Sequence, residues 1–297
     1  MEKTLNTFLN YLRFQKNYSE HTLISYANDL NGFGTFLKTQ LEVSSWEEVN
    51  HHLVRSWVIQ MLDDEVARTT IKRKVSALRS FYRFLQRKGA VKLNPAAQVE
   101  VPKAPKKVVR AVSAESMARL LNEVEFEDSY WGLTQKLIIK TFYNTGIRLA
   151  ELINLAIADV NLQNQTITVT GKRNKQRIVP LTDELCKELK AYLTDEERPS
   201  NASTEDILFK TSKGKKLYPK LVYNTINFYL RSVSGIDQTS PHVLRHTFAT
   251  HMLSNGADLN AIKELLGHAS LAATQVYTHS SIEQLKQMYN QAHPKSS

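Results

Sequence analysis

Little in this sequence invites disulfide or metal chemistry. Cys186 is the single cysteine among 297 residues, so no internal disulfide is available and a reducing, cytoplasmic setting is the expectation. No run of about 20 apolar residues occurs, which predicts no membrane span. The opening MEKTLNTFLNYLRFQ lacks the basic start, apolar stretch and small-residue cleavage site of a secretory leader. Glycine is scarce, at 10 residues, and there is no glycine-rich phosphate loop, Walker motif or Cys/His zinc spacing. Nor does a carboxylate cluster offer a magnesium site. HVLRHTFATH holds three histidines, with His242 and His246 four apart, but no glutamate follows the first as a zincin helix requires. No cofactor and no resident metal are expected.

Acidic residues are missing from one stretch in particular. Between Glu65 and Glu100 there are none, while Arg68, Lys72, Arg73, Lys74, Arg79, Arg83, Arg87, Lys88 and Lys92 supply nine positive charges. The formal net charge is +10, so nearly all of the surplus sits in this segment. A basic total alone means solubility; this concentration is the footprint of a phosphate-backbone contact, and it points to nucleic acid. Lys72, Arg73, Lys74, Arg79, Arg83 and Arg87 are the candidate DNA contacts there.

What the chain does have is enough apolar residue, 42%, for the cores of two ordinary domains. An N-terminal helix passes through Phe8 and Leu12, and Ser19 is placed to cap SEHTLISYANDLNGFGTFL, with Leu23, Tyr26, Leu30, Phe33 and Leu37 at helical spacing. WEEVNHHLVRSWVIQML carries Val49, Leu53, Trp57 and Met61 four apart. The basic segment carries the stripe Ile71, Val75, Leu78, Phe81 and Leu85, ended by Gly89. Residues 1–102 therefore read as a bundle of about four helices. Pro95, Pro102 and Pro105 favour extended backbone, so residues 103–110 are the expected linker. Its Lys106 and Lys107 either solvate it or track a DNA backbone.

Residues 111–297 are mixed. Helices are expected at Ala114–Glu123, Tyr130–Thr145, Ala150–Ala156, Asp183–Leu193, Leu221–Ser232, Val243–Asn255, Leu259–Leu266 and Ile282–Ala292. TITVT and RIVPL alternate as strands on either side of GKRNKQ, a β-hairpin with a basic tip that includes Arg173 and Lys175. The fold class is mainly α with a small β-hairpin or sheet, α+β. Cationic, imidazole and phenol side chains stand near its element junctions. Arg148 in NTGIRLAEL pairs with Glu151 on the bland reading, and Lys172 is a turn lysine. His242 and Arg245 share one helix face, His268 follows the C-cap residue Gly267, and Tyr277 lies nine residues later. Singly, each has a structural reading at least as good as a catalytic one.

Their order is more specific. TGIRLAEL, GKRNKQR, HVLRHTFATHML, LLGHAS and TQVYTH follow one another as in the tyrosine recombinases, and the chain resembles the Xer recombinases over almost its whole length. The resemblance implies a helical DNA-binding domain and a catalytic domain that clamp DNA, with Arg148, Lys172, His242, Arg245, His268 and the nucleophile Tyr277 as the catalytic set. None of the six departs from the family pattern. It implies that Glu151 orients Arg148, and that the tail with Ile282, Leu285, Met288 and Tyr289 is an exchange helix docking into a neighbouring protomer. The implied partners are a double-stranded recombination site, a homo- or hetero-tetramer with a sister recombinase, and the division-linked translocase FtsK. The implied task is resolving chromosome dimers at cell division. An integrase of a phage or conjugative element, a type IB topoisomerase and a non-catalytic DNA-binding protein are the alternatives. Arginines and a lysine take the place of a metal in this scheme. Cleavage and covalent trapping are therefore expected to persist in EDTA, and strict Mg²⁺ dependence would contradict it.

Overall fold

Contacts divide the chain into two units, Met1–Lys107 and Val108–Ser297. The computed structural model describes residues 1–101, 103, 109–171, 175–199, 206–236, 239–267 and 279–294.

The described residues of the first unit form four α-helices, α1 (Glu2–Asn10), α2 (Glu20–Leu41), α3 (His51–Asp63) and α4 (Arg68–Arg87), with a π-helical turn over Tyr11–Gln15. Their apolar faces meet in an aromatic core. Phe8, Phe33, Trp46, Trp57, Phe81 and Tyr82 are all buried, and the Phe8–Phe81 and Phe33–Trp57 rings lie 5.2 and 4.9 Å apart. Each such pair adds about 0.5–1.5 kcal/mol beyond area burial. All five positions of the expected α4 stripe are buried, and Gly89 follows the helix in the left-handed region. α3 begins later than its spacing predicts. The Asn50 side chain accepts from the N–H groups of His52 and Leu53 at 2.9 and 3.2 Å and fixes the N-cap there. The buried face is consequently Val54, Trp57, Val58 and Met61, and Val49 lies outside the helix. Trp46 reaches the core from before the helix, its indole N–H held by the Met1 carbonyl at 2.9 Å.

In the second unit the sequence builds its core around α6 (Tyr130–Thr145), 12 of whose 16 residues are buried. α8 (Asp183–Leu193), α9 (Pro219–Val233) and α10 (Pro241–Ser254) pack on it and α5 (Ala114–Asn122) packs on α9, with α7 (Leu149–Ile153), α11 (Leu259–Leu266) and α12 (His279–Ala292) completing the α-helices among the described residues. Prolines in the first turns of α9 and α10 start both helices two residues earlier than the apolar spacing predicts. α7 is shorter than expected. Asn154 bonds back to the Ala150 carbonyl, and the following residues pair instead with the chain near Leu208, through Ile157 N–H to Asp206 and Leu208 N–H to Leu155. Three antiparallel strands, β1 (Val160–Asn161), β2 (Thr166–Thr170) and β3 (Gln176–Pro180), form one sheet in the order β1-β2-β3. β2 and β3 make the expected hairpin, with Ile167 opposite Val179 and Val169 opposite Arg177.

The tail helix α12 lies over the core of its own unit. Leu285, Tyr289 and Ala292 are buried, and the Tyr289 hydroxyl donates to the Asn144 carbonyl at 2.9 Å near the end of α6. Asn255 donates to the Ala292 carbonyl at 2.9 Å. The Ile282 side chain lies outside the described set. α6 stops at Gly146, whose φ of +59° suits glycine, and a Cβ there would stand 2.4 Å from Phe248 and 2.9 Å from Leu266. Gly146→Ala should therefore destabilise this unit by about 2–4 kcal/mol, read as a lower urea midpoint. Gly235→Ala, where a Cβ meets nothing within 4 Å, is the control.

Candidate active site

α11 ends in Gly267, held at φ +62°. The last carbonyls of a helix have no intrahelical donor and carry the negative end of its dipole. Here three consecutive carbonyls each receive a different arginine. Arg177 Nε donates to Leu265 at 2.7 Å, Arg245 Nη2 to Leu266 at 2.6 Å and Arg148 Nη2 to Gly267 at 3.1 Å. The three arginines come from β3, α10 and the residue preceding α7. A second Arg245 bond, 2.6 Å to the Gly146 carbonyl, ties this point to the end of α6.

Among the described residues, one carboxylate serves the cluster. Glu151 is buried, accepts both the backbone N–H and Nη1 of Arg148 at 2.7 and 2.8 Å, and is gripped by Arg177 at 3.0 and 2.8 Å. Burial acts to raise the Glu151 pKa, but the hydrogen bonds and charge of Arg177, then those of Arg148, bring it down to about 2. Burial, with Arg148 and Arg177 nearby, pulls the Arg245 guanidinium down to about 10, so it stays cationic at neutral pH. Three guanidiniums against one carboxylate leave an excess of positive charge. Arg177 is 5% exposed and Arg245 9%, whereas the Arg148 side chain is 38% exposed. The cluster thus meets solvent chiefly through Arg148, an arrangement suited to receiving an anion.

Of the sequence-derived site residues, Arg148, Glu151 and Arg245 are brought together. His242 stands exposed on α10, one turn before Arg245. Lys172, His268 and Tyr277 lie outside the described residues, as do Arg173, Lys106 and Lys107. Their described chain neighbours are informative. A Cβ on Gly171 would lie 3.3 Å from Glu151 Oε1, and one on Gly267 would lie 3.1 Å from Arg177, so the residues preceding Lys172 and His268 both abut the cluster. Lys175 is exposed, and its carbonyl accepts the Gly171 N–H at 2.7 Å.

Arg177 is the residue that sequence reasoning missed. Its signal was phase: in RIVPL it falls on the same face as Val179, pointing a cation into an apolar layer. On α4 the basic residues divide. Arg79 donates to the Ala96 and Val99 carbonyls at 2.9 and 2.7 Å, Arg73 and Lys74 pair with buried Asp29, and Arg87 covers the Tyr11 ring. Lys72 and Arg83 are exposed.

Residues 110–284 match the model of the phage integrase family, and residues 5–89 match that of the phage integrase N-terminal SAM-like domain. The chain belongs to the phage integrase family. It is a site-specific tyrosine recombinase, an enzyme that cleaves and rejoins DNA strands. Similar relatives include "Tyrosine recombinase XerC" of Pelobacter propionicus, 38% identical over 98% of this chain and 95% of that protein. The protein of the same name from Natranaerobius thermophilus is 35% identical over the full length of both. Among solved structures, the Tn1549 transposon integrase with circular intermediate DNA matches with a TM-score of 0.74 at 15% identity, covering 96% of this chain and 98% of that one. The recombinase XerH bound to a palindromic difH substrate matches at 0.70 and 22%, covering 95% and 82%. These two share the recombinase fold, mostly helical with a small sheet.

The depressed Glu151 pKa makes stability pH-dependent. Its contribution is present in full above the ordinary value of 4.5 and is lost as pH falls toward about 2. Urea titrations of the recombinase and Glu151→Gln should differ by on the order of 3 kcal/mol at neutral pH, and the difference should close across that acid range. A difference of equal size in strong acid would contradict this assignment.

Proposed function

We propose that this recombinase cuts and rejoins double-stranded DNA through Tyr277, and that its task is resolving chromosome dimers at cell division. The observation that carries the reading is the gathering of Arg148 and Arg245, with Glu151, at the end of α11 in a family member. The XerC naming of its full-length relatives supports the cellular task.

The chemistry follows from the residue types. The Tyr277 oxygen attacks a backbone phosphorus, forming a 3′-phosphotyrosyl ester as the bond to the 5′ oxygen breaks. A phenol with an ordinary pKa of about 10 needs help to attack at neutral pH, and His242 is the proton shuttle. Arg148 and Arg245 neutralise the non-bridging oxygens as charge builds in the transition state. Lys172 delivers a proton to the leaving 5′ oxygen, and His268 donates a hydrogen bond to the phosphate. Attack by another 5′ hydroxyl reverses the sequence, so the bond energy is conserved. Glu151 holds Arg148 and does not touch DNA.

Residues 1–102 and 111–297, joined by the 103–110 linker, act as two arms on the duplex. Lys72 and Arg83, with Lys106, Lys107, Arg173 and Lys175, lie along its backbone. Four protomers assemble on two sites, as one kind of chain or with a sister recombinase, and the tail helix, packed on its own unit in the single chain, exchanges to link neighbours. FtsK is the partner that couples the reaction to division in the cytoplasm. Among the described residues no helix is long and apolar enough to cross a membrane.

The test is a suicide substrate, nicked beside the cleavage position within the recombination site. The wild type should form a denaturant-resistant protein–DNA adduct. Tyr277→Phe should shift the same DNA on a gel and form none. If the wild type binds its site without forming an adduct, the reading fails and a non-catalytic DNA-binding role replaces it.

A further inference from the structure

Arg177 has no assigned part in the reaction, yet its side chain makes three bonds within the cluster. Its guanidinium spans both oxygens of Glu151, and its Nε reaches the Leu265 carbonyl. The backbone of Gly267 lies against it so closely that a Cβ would meet its Cδ, Nη1 and Cζ at 3.1, 3.2 and 3.3 Å. From the strand that closes the hairpin, one side chain thus reaches the carboxylate that holds Arg148 and the helix end that leads to His268. Arg177 is 5% exposed, so it is not placed to meet DNA itself.

A buried arginine on an apolar strand face is costly unless every bond it makes is used. Without Arg177, Glu151 would keep one fixed anchor, the Arg148 backbone N–H, and the half-exposed Arg148 guanidinium. Held from the other side by a rigid fork, Glu151 becomes a fixed point against which Arg148 aligns. We infer that Arg177 is a positioning residue for strand cleavage: through Glu151 it sets the direction of the Arg148 guanidinium, and through Leu265 it fixes the end of α11. The inference rests on the roles proposed above for Arg148 and Tyr277. Arg177 closes the GKRNKQR motif but stands outside the six catalytic positions that the resemblance implies.

A residue acting through Arg148 loses its influence once Arg148 is gone, whereas a general brace does not. The experiment is a double-mutant cycle on the full chain with Arg177→Met and Arg148→Ala, following single-turnover adduct formation on the suicide substrate. Thermal melting and gel shift accompany each variant. Arg177→Met should slow adduct formation about 30-fold in the wild-type background and less than about 3-fold in the Arg148→Ala background, with the gel shift retained. An equal factor in both backgrounds would show a brace and overturn the inference. If Arg177→Met does not fold, Arg177→Lys carries the same cycle, because it keeps the charge but cannot span two carboxylate oxygens and a carbonyl at once. Absence of an adduct from the wild type would instead remove the catalytic reading, and this inference with it. A wild-type adduct with no effect of either Arg177 substitution removes the inference alone.

Discussion

Three carbonyls at the end of α11 and one buried carboxylate organise the catalytic unit, because together they fix three arginines from three separate elements. A helix terminus is short of donors, and guanidiniums are rich in them. Leu265, Leu266 and Gly267 take one arginine each, and Glu151 takes two. The junction is possible only because the backbone turns sharply there. Gly267 and Gly146 both adopt positive φ, and each presents a carbonyl to an arginine; a Cβ on Gly146 would clash with Phe248 and Leu266, and one on Gly267 would press on Arg177 at 3.1 Å. Charge, helix polarity and glycine conformation converge on one spot.

The same junction accounts for how cations survive burial. An isolated guanidinium in an apolar layer carries a desolvation cost of several kcal/mol, and geometry has to offset it. Arg177 does so with a two-point grip on Glu151 and a bond to Leu265, Arg245 with two backbone carbonyls. Neither needs DNA to be stable. Arg148 differs, being half-exposed and bonded to groups that leave part of its fork toward solvent. The unit therefore carries its positive excess at a rigid point before substrate arrives, which is what electrostatic preorganisation requires.

Local signals were legible in the sequence, and distant ones were not. The α4 stripe, the TITVT/RIVPL hairpin and the Gly267 cap rest on contacts within a few residues, and all three stand as read. α3 and α7 were misjudged at one end because Asn50 caps the first and pairing with Asp206 and Leu208 ends the second. The site shows the same division. Arg148 with Glu151 is an i,i+3 pair that spacing exposes. Arg177 meets Glu151 across 26 residues, and only its phase with Val179 hinted that it pointed inward. Lys172, His242, His268 and Tyr277 were singled out by their company in a family pattern, since none has a distinctive neighbourhood in sequence. The charge tally on α4 found a basic helix but could not tell Arg79, committed to Ala96 and Val99, from exposed Lys72 and Arg83.

A structure of the Tyr277→Phe recombinase on its DNA site tests the central claim most directly. The account predicts the scissile phosphate at the end of α11, its non-bridging oxygens within hydrogen-bond reach of Arg148 and Arg245, and the Arg177–Glu151 grip intact. A phosphate bound elsewhere, or held by a divalent ion with both arginines turned away, would contradict it.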